Sequence, residues 1–422
     1  MKIEILCTGD EILSGKTVNT NYSHMARRLV EHGFAVQWGT VVGDHRDDLQ
    51  RAFVEAGGRA DVVIVNGGLG PTVDDLSQEV AATAAGVELV LHQEWLSRMD
   101  AWYQARGRTM PANNTKQAML PEGAEFIDNP VGTACGFAVD IGKGRFYFTP
   151  GVPREMKRML DDQIIPRLEQ LRGSSQVTLL KRFHSFGIGE SRADQMLSDA
   201  EDIVPGGVVK LGFQSHFPQL ETKLTLHGEN PGKLQQVIEP VVAYVRDKLG
   251  SFVLAEDGET LEGNIVTALE EKNQSLAVME MHTAGSIVGR LMRSGSGASH
   301  IKLGLVSEQL NELFDAVGLP DQDRNPVNKE SAQQLATALC RQSGARVGLA
   351  VLSKPAAQNE LGEARTDIVI AIAEGDAVVV REAQFPGNKE WLRLGATELG
   401  LDCLRRYIYG LPVYQRIDFE QH

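Results

Sequence analysis

Val65 to Asp75 reads VNGGLGPTVDD, a run broken by glycine and proline that ends in two adjacent carboxylates and follows the apolar run ADVVIV. Gly67, Gly68 and Gly70 leave main-chain N–H groups free of side-chain bulk, an arrangement in which backbone can approach an anion such as phosphate. Asp74 and Asp75 would repel that phosphate unless a divalent cation lay between them. The stretch therefore points to a phosphate, a metal, or both. Two plainer roles compete: a tight turn for the glycines, and N-capping by one of the acids of a helix begun by TVDDLSQEVAATAAG. Capping accounts for one acid of the pair but not for the choice of both.

Other motifs narrow the chemistry. GDEILSGKT, Gly9 to Thr17, resembles a phosphate-binding P-loop but places five residues between Gly9 and the Gly15–Lys16 pair where that loop needs four. It reads instead as a strand-to-helix loop that carries Asp10 and Glu11 towards the GGLGPTVDD loop. Gly68 and Gly70 begin a GxG pattern, yet Val73 stands where a dinucleotide fingerprint requires its third glycine, so hydride chemistry is unsupported. NPVGTACGF (Asn129 to Phe137) and TPGVPREM (Thr149 to Met156) are turns beside a strand or helix. In ANNTKQAML, Lys116 opens a helical stretch as either a solvated surface residue or a phosphate contact. The ten histidines show no HxxxH spacing, which argues against an imidazole metal site.

Short apolar runs alternating with helical patterns over the first 170 residues predict a parallel sheet covered on both faces. KIEILCTG, AVQWGTVVGD and DVVIVNGG are its strands. NYSHMARRLVEHG is a helix with Met25, Leu29 and Val30 on one face and Gly33 as its stop, and DDLQRAFVEAGGRA is the next helix. The glycine loop thus lies where a parallel strand ends, the edge at which open α/β sheets take ligands.

A polar stretch from Gly173 to Gln176 marks a first boundary, and AEDGETLEGN a second. Residues 1–173, 174–256 and 257–422 are then three domains. The middle one has strands VTLLKRFHSFG and LETKLTLHG with helices from GESRADQML and PGKLQQVIEPVVAYVRDKLG. This is a small α+β sandwich of KH type, without a GxxG loop flanked by basic residues, and a spacer or dimerisation role suits it better than RNA binding. The last segment contains the helix LEGNIVTALEEKN, the strand SLAVMEM, the alternating TDIVIAIAEGDAVVVREAQF and a closing helix LRLGATELGLDCLRRYIYG. A formal charge of −14 opposes non-specific nucleic-acid binding. Four scattered cysteines without CxxC spacing, no signal-like N-terminus and no apolar run of spanning length lead us to expect a cytoplasmic protein free of the membrane.

TGDEILSGKTVNTN, VVGD, NGGLGPTVDDL, NPVGTACGF and TPGVPREM, in this order and at these separations, resemble the competence/damage-inducible CinA family, and the resemblance runs the full length. It implies an N-terminal α/β/α domain similar to the molybdopterin-binding fold, a KH-type middle domain that again carries FGIGES, and an α/β C-terminal domain. In this family the first domain is associated with metal-dependent hydrolysis of ADP-ribose to AMP and ribose 5-phosphate. The resemblance then assigns Asp74 and Asp75 to catalysis and, with Asp44 and Asp10, to a divalent cation such as Mg²⁺ or Co²⁺, with K⁺ as a further ion. Gly9, Asp10, Glu11, Asn66, Gly67, Gly68, Gly70, Pro71, Thr72, Lys116, Asn129, Gly132, Thr133 and Gly151 fall to the nucleotide-like ligand, and a homodimer is expected.

The family's C-terminal domain resembles a nicotinamide mononucleotide deamidase whose AESCTGG motif supplies a serine nucleophile. Here MEMHTAG puts Met281 at the serine position and His282 at the cysteine position, and a thioether has no proton to lose and cannot attack an amide. AVLSKPAA replaces the TGIAGP loop, and the tyrosine-containing strand expected after SGSGAS is missing. The expectation is a retained fold without deamidase chemistry. The alternative for the whole chain is a non-enzymatic protein that binds a pterin or nucleotide and uses its C-terminal domain as a scaffold.

Overall fold

A computed structural model describes residues 1–173, 177–320, 324–355, 365–386 and 389–420. The boundary expected at Gly173 to Gln176 falls partly on residues 174–176, outside the described residues. The chain forms two compact units, Met1–Leu179 with His227–Leu234, and Leu180–Leu226 with Gln235–His422.

In the first unit, β1 (Ile3–Thr8), α1 (Asp10–Leu13), α2 (Thr20–Glu31), β2 (Val36–Val42), α3 (Arg46–Arg59), β3 (Val62–Asn66) and α4 (Ser77–Ala85) follow the expected alternation. Next come the antiparallel pair β4 (Leu89–Leu91) and β5 (Met119–Pro121), separated by α5 (Gln93–Gln104) and a 3₁₀ turn at Ala112–Ala118. Then β6 (Glu125–Ile127), β7 (Gly136–Ile141) and β8 (Gly144–Thr149) lead into α6 (Pro153–Met159) and α7 (Ile165–Arg172). The main sheet runs β2-β1-β3-β8-β7-β6. Its β2, β1, β3 and β8 are parallel, whereas β7 runs antiparallel to both its neighbours, β8 and β6, so the sheet is mixed rather than wholly parallel. The cause is the two-residue turn at Gly142 (φ 61°) and Lys143, since a hairpin of that length joins only antiparallel strands.

Both faces of the sheet are covered. Leu6, Val63 and Val65 pack with Phe53, Val80 and Trp95 on one side, and Ile3, Ile5, Val62 and Ile64 with Met25, Leu29, Met156 and Leu168 on the other. Strand periodicity of two produces this division, which explains the unbroken apolar run Val62 to Val65 in β3. Val30 is the exception to the expected α2 stripe: it is exposed, because the buried stripe follows Met25 and Leu29 at i and i+4.

Largely in the second unit, the sheet β10-β11-β9-β12 combines β9 (Val177–Phe186), β10 (Val209–His216), β11 (Gln219–Gly228) and β12 (Val253–Glu256) with α8 (Glu190–Met196) and α9 (Pro231–Leu249). The strand β10 was absent from the sequence reading. A second sheet, β14-β13-β15-β16-β17, is built from β13 (Leu276–Glu280), β14 (Ile301–Val306), β15 (Val347–Pro355), β16 (Arg365–Glu374) and β17 (Ala377–Pro386). Its helices are α10 (Leu261–Glu271), α11 (Ser286–Arg293), α12 (Gly297–His300), α13 (Leu310–Ala316), α14 (Lys329–Ser343) and α15 (Lys389–Tyr409). The single alternating run read from Thr366 to Phe385 is a hairpin turned at Gly375. A strand does follow SGSGAS: β14 is present, and only its tyrosine is lacking. No described helix is long and apolar enough to cross a membrane.

Candidate active site

The parallel strands β1, β3 and β8 end together at Thr8, Asn66 and Thr149. The loops that leave them, with the Asn129–Ala134 turn, enclose a cleft of about 570 Å³. Gly9, Glu11, Asn66, Gly67, Gly68, Gly70, Pro71, Asp74, Asp75, Thr133, Gly151 and Asp44 line it, as the sequence led us to expect. Asp10, Thr72, Lys116, Asn129 and Gly132 do not line it. Thr8, Asn19, Asn21, Gln117 and Glu155 line it without having been foreseen as ligand residues.

The glycines have a second purpose besides a bare backbone. A Cβ on Gly67 (φ 115°) would lie 2.5 Å from the Thr8 hydroxyl, one on Gly68 (φ 69°) would strike the Ser77 side chain, and one on Gly70 would strike the Asp75 carboxylate. The loop is thus folded onto its own polar side chains. Ser77 Oγ donates to Gly67 O (2.9 Å) and Gln117 Nε2 to Leu69 O (3.2 Å). Neither acid caps α4, whose N-cap position is Leu76 without a side-chain bond. Asp75 instead accepts the Thr72 backbone N–H at 2.8 Å and the Thr72 hydroxyl. Lys116 Nζ donates to Thr72 O (2.9 Å), so this cation braces the loop from outside the cleft.

Five carboxylates, Glu11, Asp44, Asp74, Asp75 and Glu155, therefore face one opening, and none of its lining residues is Lys, Arg or His. The Asp44 carboxyl is pushed up from its ordinary value by burial, with the negative charges of Asp10, Glu11 and Asp74 adding to the effect and the Asp10 backbone N–H opposing it. Asp10 and Asp44 each accept the other's backbone N–H, at 3.2 and 3.1 Å, which turns Asp10 away from the opening. Asp74 is fully exposed and held low by the Thr72 side chain, its own backbone N–H and Lys116. Glu155 is pushed up by burial, against the pull of Asn129 Nδ2, which donates to it at 2.7 Å, and of Arg154. A Cβ on Gly132 would overlap the Glu155 carboxylate, so this glycine makes room for an acid rather than a ligand. Among the described residues no three His, Cys, Asp or Glu side chains converge as a ready metal cage. The donor set is nonetheless all oxygen, which fits a hard cation completed by water and ligand phosphate rather than a closed protein site.

The chain matches three family models in succession: a probable molybdopterin binding domain at residues 4–170, a damage-inducible protein CinA KH domain at 181–255, and a CinA C-terminal domain at 258–408. It is 37% identical to the CinA-like protein of Shewanella sediminis (strain HAW-EB3) over 420 residues, covering 98% of this chain and 97% of the relative. The chain belongs to the CinA family. The CinA-like protein of Shewanella woodyi (strain ATCC 51908 / MS32) is also 37% identical, over 425 residues, 98% of this chain and 97% of the relative. Among solved structures, the CinA protein of unknown function from Thermoplasma acidophilum is 35% identical over 39% of this chain and 97% of its own, with a TM-score of 0.36.

In the CinA C-terminal domain, the altered motif is built into the structure. Fully buried Glu280 accepts the backbone N–H groups of Ile287 and Val288, each at 3.0 Å, and the Thr283 hydroxyl, so Glu280 and Thr283, two of the three positions that match the motif, secure the start of α11. Met281 is buried, and its N–H donates to Val351 O (2.9 Å). His282 sits at φ 62°, and its Nδ1 lies 2.8 Å from the Ser353 hydroxyl, a partner that the sequence did not reveal. That hydroxyl also reaches Met281 O at 3.3 Å and is fully buried. Of the AVLSKPAA stretch, residues 356–357 lie outside the described residues. All four cysteines are free, and burial pushes Cys135 and Cys403 up to about 12, which leaves those two without nucleophilic thiolate.

Proposed function

We propose that the N-terminal domain binds ADP-ribose or a closely related nucleotide diphosphate with a divalent cation and hydrolyses it to AMP and ribose 5-phosphate. The observation that carries the reading is the cleft itself: five carboxylates at a strand-end edge with no lining cation. A diphosphate enters such a site only if its charge is neutralised from outside the protein, and a divalent cation does this. Asp74 and Asp44, with Glu11 beside them, are the residues that would hold Mg²⁺ or Co²⁺. When bound, such an ion neutralises phosphate oxygens and lowers the pKa of a coordinated water. The chain's own residues do the rest. Asp75 holds Thr72 and so fixes the loop that carries Asp74. Glu155, half-buried and pushed upward, is placed to hold or release a proton at its carboxylate.

The C-terminal domain, in the same proposal, has no deamidase activity. Met281 offers no removable proton at the nucleophile position, and the Ser353 hydroxyl beside His282 is closed off by burial.

The test is AMP formation from ADP-ribose by the full chain, with and without Mg²⁺ or Co²⁺, beside Asp74→Ala and Asp75→Ala. Cation-dependent AMP lost in these variants is the expected result. Full activity in both variants would remove the site. Saturable binding with no product would make the protein a nucleotide-binding one.

A further inference from the structure

The cleft has a floor as well as an acidic rim, and the floor holds two polar atoms without partners. Asn21 Nδ2 donates to Asn66 Oδ1 (2.9 Å) and Gly151 O (2.7 Å). Asn66 Nδ2 in turn donates to Pro150 O (2.7 Å) and Thr149 Oγ1 (3.1 Å). Because Gly151 O and Pro150 O are carbonyls that only accept, both amide orientations are fixed, and the remaining Asn21 Oδ1 is an acceptor. That oxygen and the Thr8 hydroxyl are buried and have no hydrogen-bond partner. Thr8 is 5% exposed and Asn21 9%, and both line the cleft. Thr8 adjoins Gly67, whose missing Cβ leaves room for its hydroxyl.

A buried polar atom left unsatisfied costs stability, so two of them on residues that line one opening call for a ligand that satisfies both. Its chemistry is constrained. Phosphate oxygens accept from Thr8 but give nothing to Asn21, and an ammonium does the reverse. A hydroxyl does both. We infer that the floor of the cleft is a hydroxyl-recognising subsite, in which Asn21 Oδ1 accepts from, and the Thr8 hydroxyl donates to, a sugar diol of the ligand. This rests on the reading of the cleft as a site for a nucleotide-sugar diphosphate. It adds an orientation: sugar towards the strand ends, phosphates towards the acidic rim.

The diol could come from the sugar phosphate or from the nucleoside, and two pairs of probes separate them. Titration calorimetry of the full chain with Mg²⁺ compares ribose 5-phosphate with its 2,3-dideoxy counterpart, and ADP with 2′,3′-dideoxy-ADP. One pair is expected to show a preference of about 30-fold for the hydroxylated ligand, the worth of two ordinary hydrogen bonds. Asn21→Leu should abolish that preference, but it also cuts two bonds that hold the floor. Thr8→Val is therefore the deciding variant. It removes a hydroxyl with no partner in the protein, so the melting temperature should hold or rise while the preference falls by about fivefold, the share of one hydrogen bond. A wild-type preference absent from both pairs, or one unchanged in Thr8→Val, overturns the subsite while leaving the nucleotide reading in place. Failure of ADP, ribose 5-phosphate and ADP-ribose all to bind removes that reading and the subsite with it.

Discussion

In the N-terminal cleft Glu11, Asp44, Asp74, Asp75 and Glu155 share an opening with no cation among its described lining residues, whereas in the second unit the buried acids Asp402 and Glu398 are matched to arginines. Asp402, fully buried on α15, accepts from Arg406 Nε (2.7 Å) through one carboxylate oxygen and from Arg405 through the other (2.7 Å). Both guanidiniums also donate to Ser251 O. Glu398, nearly as buried, accepts from Arg290 Nη1 (2.6 Å). The difference separates two uses of a carboxylate. Matched acids hold the fold, and their removal strands a buried cation. Unmatched acids raise one another's cost and persist where something else neutralises them.

Breaking the matched set gives the largest effect. Asp402→Ala leaves Arg405 and Arg406 buried without their carboxylate and should cost about 3–5 kcal/mol in denaturant unfolding. A cost near zero would mean that the pair only occupies space. Asp74→Ala is the opposite case. It should leave the unfolding midpoint in place yet lower cation-dependent AMP release by about 100-fold or more. A lowered midpoint with retained turnover would reverse the comparison.

pH sharpens the contrast at one acid from each unit, because Glu256 and Glu155 carry opposite signs. Glu256 is pulled down to about 2, by Arg246 first and then Lys181. Its stabilisation is complete above its unfolded value of 4.5 and is lost as pH falls from there towards 2. Glu155 is pushed up, so its contribution runs the other way: stability falls as pH rises from 4.5 through the higher folded value. Unfolding curves across pH should therefore flatten on the acid side in Glu256→Gln and gain stability near neutrality in Glu155→Gln. The smallest expected effect lies in the C-terminal domain. Met281→Ser restores a hydroxyl but not the missing surroundings, and ammonia release from nicotinamide mononucleotide should stay at background.

Much of the N-terminal fold was legible because its signals are local. Val62 to Val65 of β3 are all apolar since both faces are buried, and α2 ends where Gly33 takes a positive φ. The GGLGPTVDD loop was placed at a strand end for the same reason. Less legible was which acids face the opening. Asp10 and Glu11 are neighbours in sequence, yet Asp10 turns to the Asp44 backbone while Glu11 lines the cleft. The mixed sheet was hidden because antiparallel β7 and parallel β8 are alike in composition, and only the brevity of the Gly142–Lys143 turn distinguishes them.

By itself the sequence determined most of the N-terminal elements, the strand-end position of the glycine loop and the methionine that stands at the serine position of the C-terminal motif, all consequences of residue type within a short window. Tertiary structure alone decided the rest. Asn21 meets Gly151 from 130 residues away, Glu155 meets Asn129 from 26, and Ser353 reaches His282 from 71. Whether a polar atom ends up paired, buried or left facing a ligand depends on what the fold brings opposite it, and no local pattern records that.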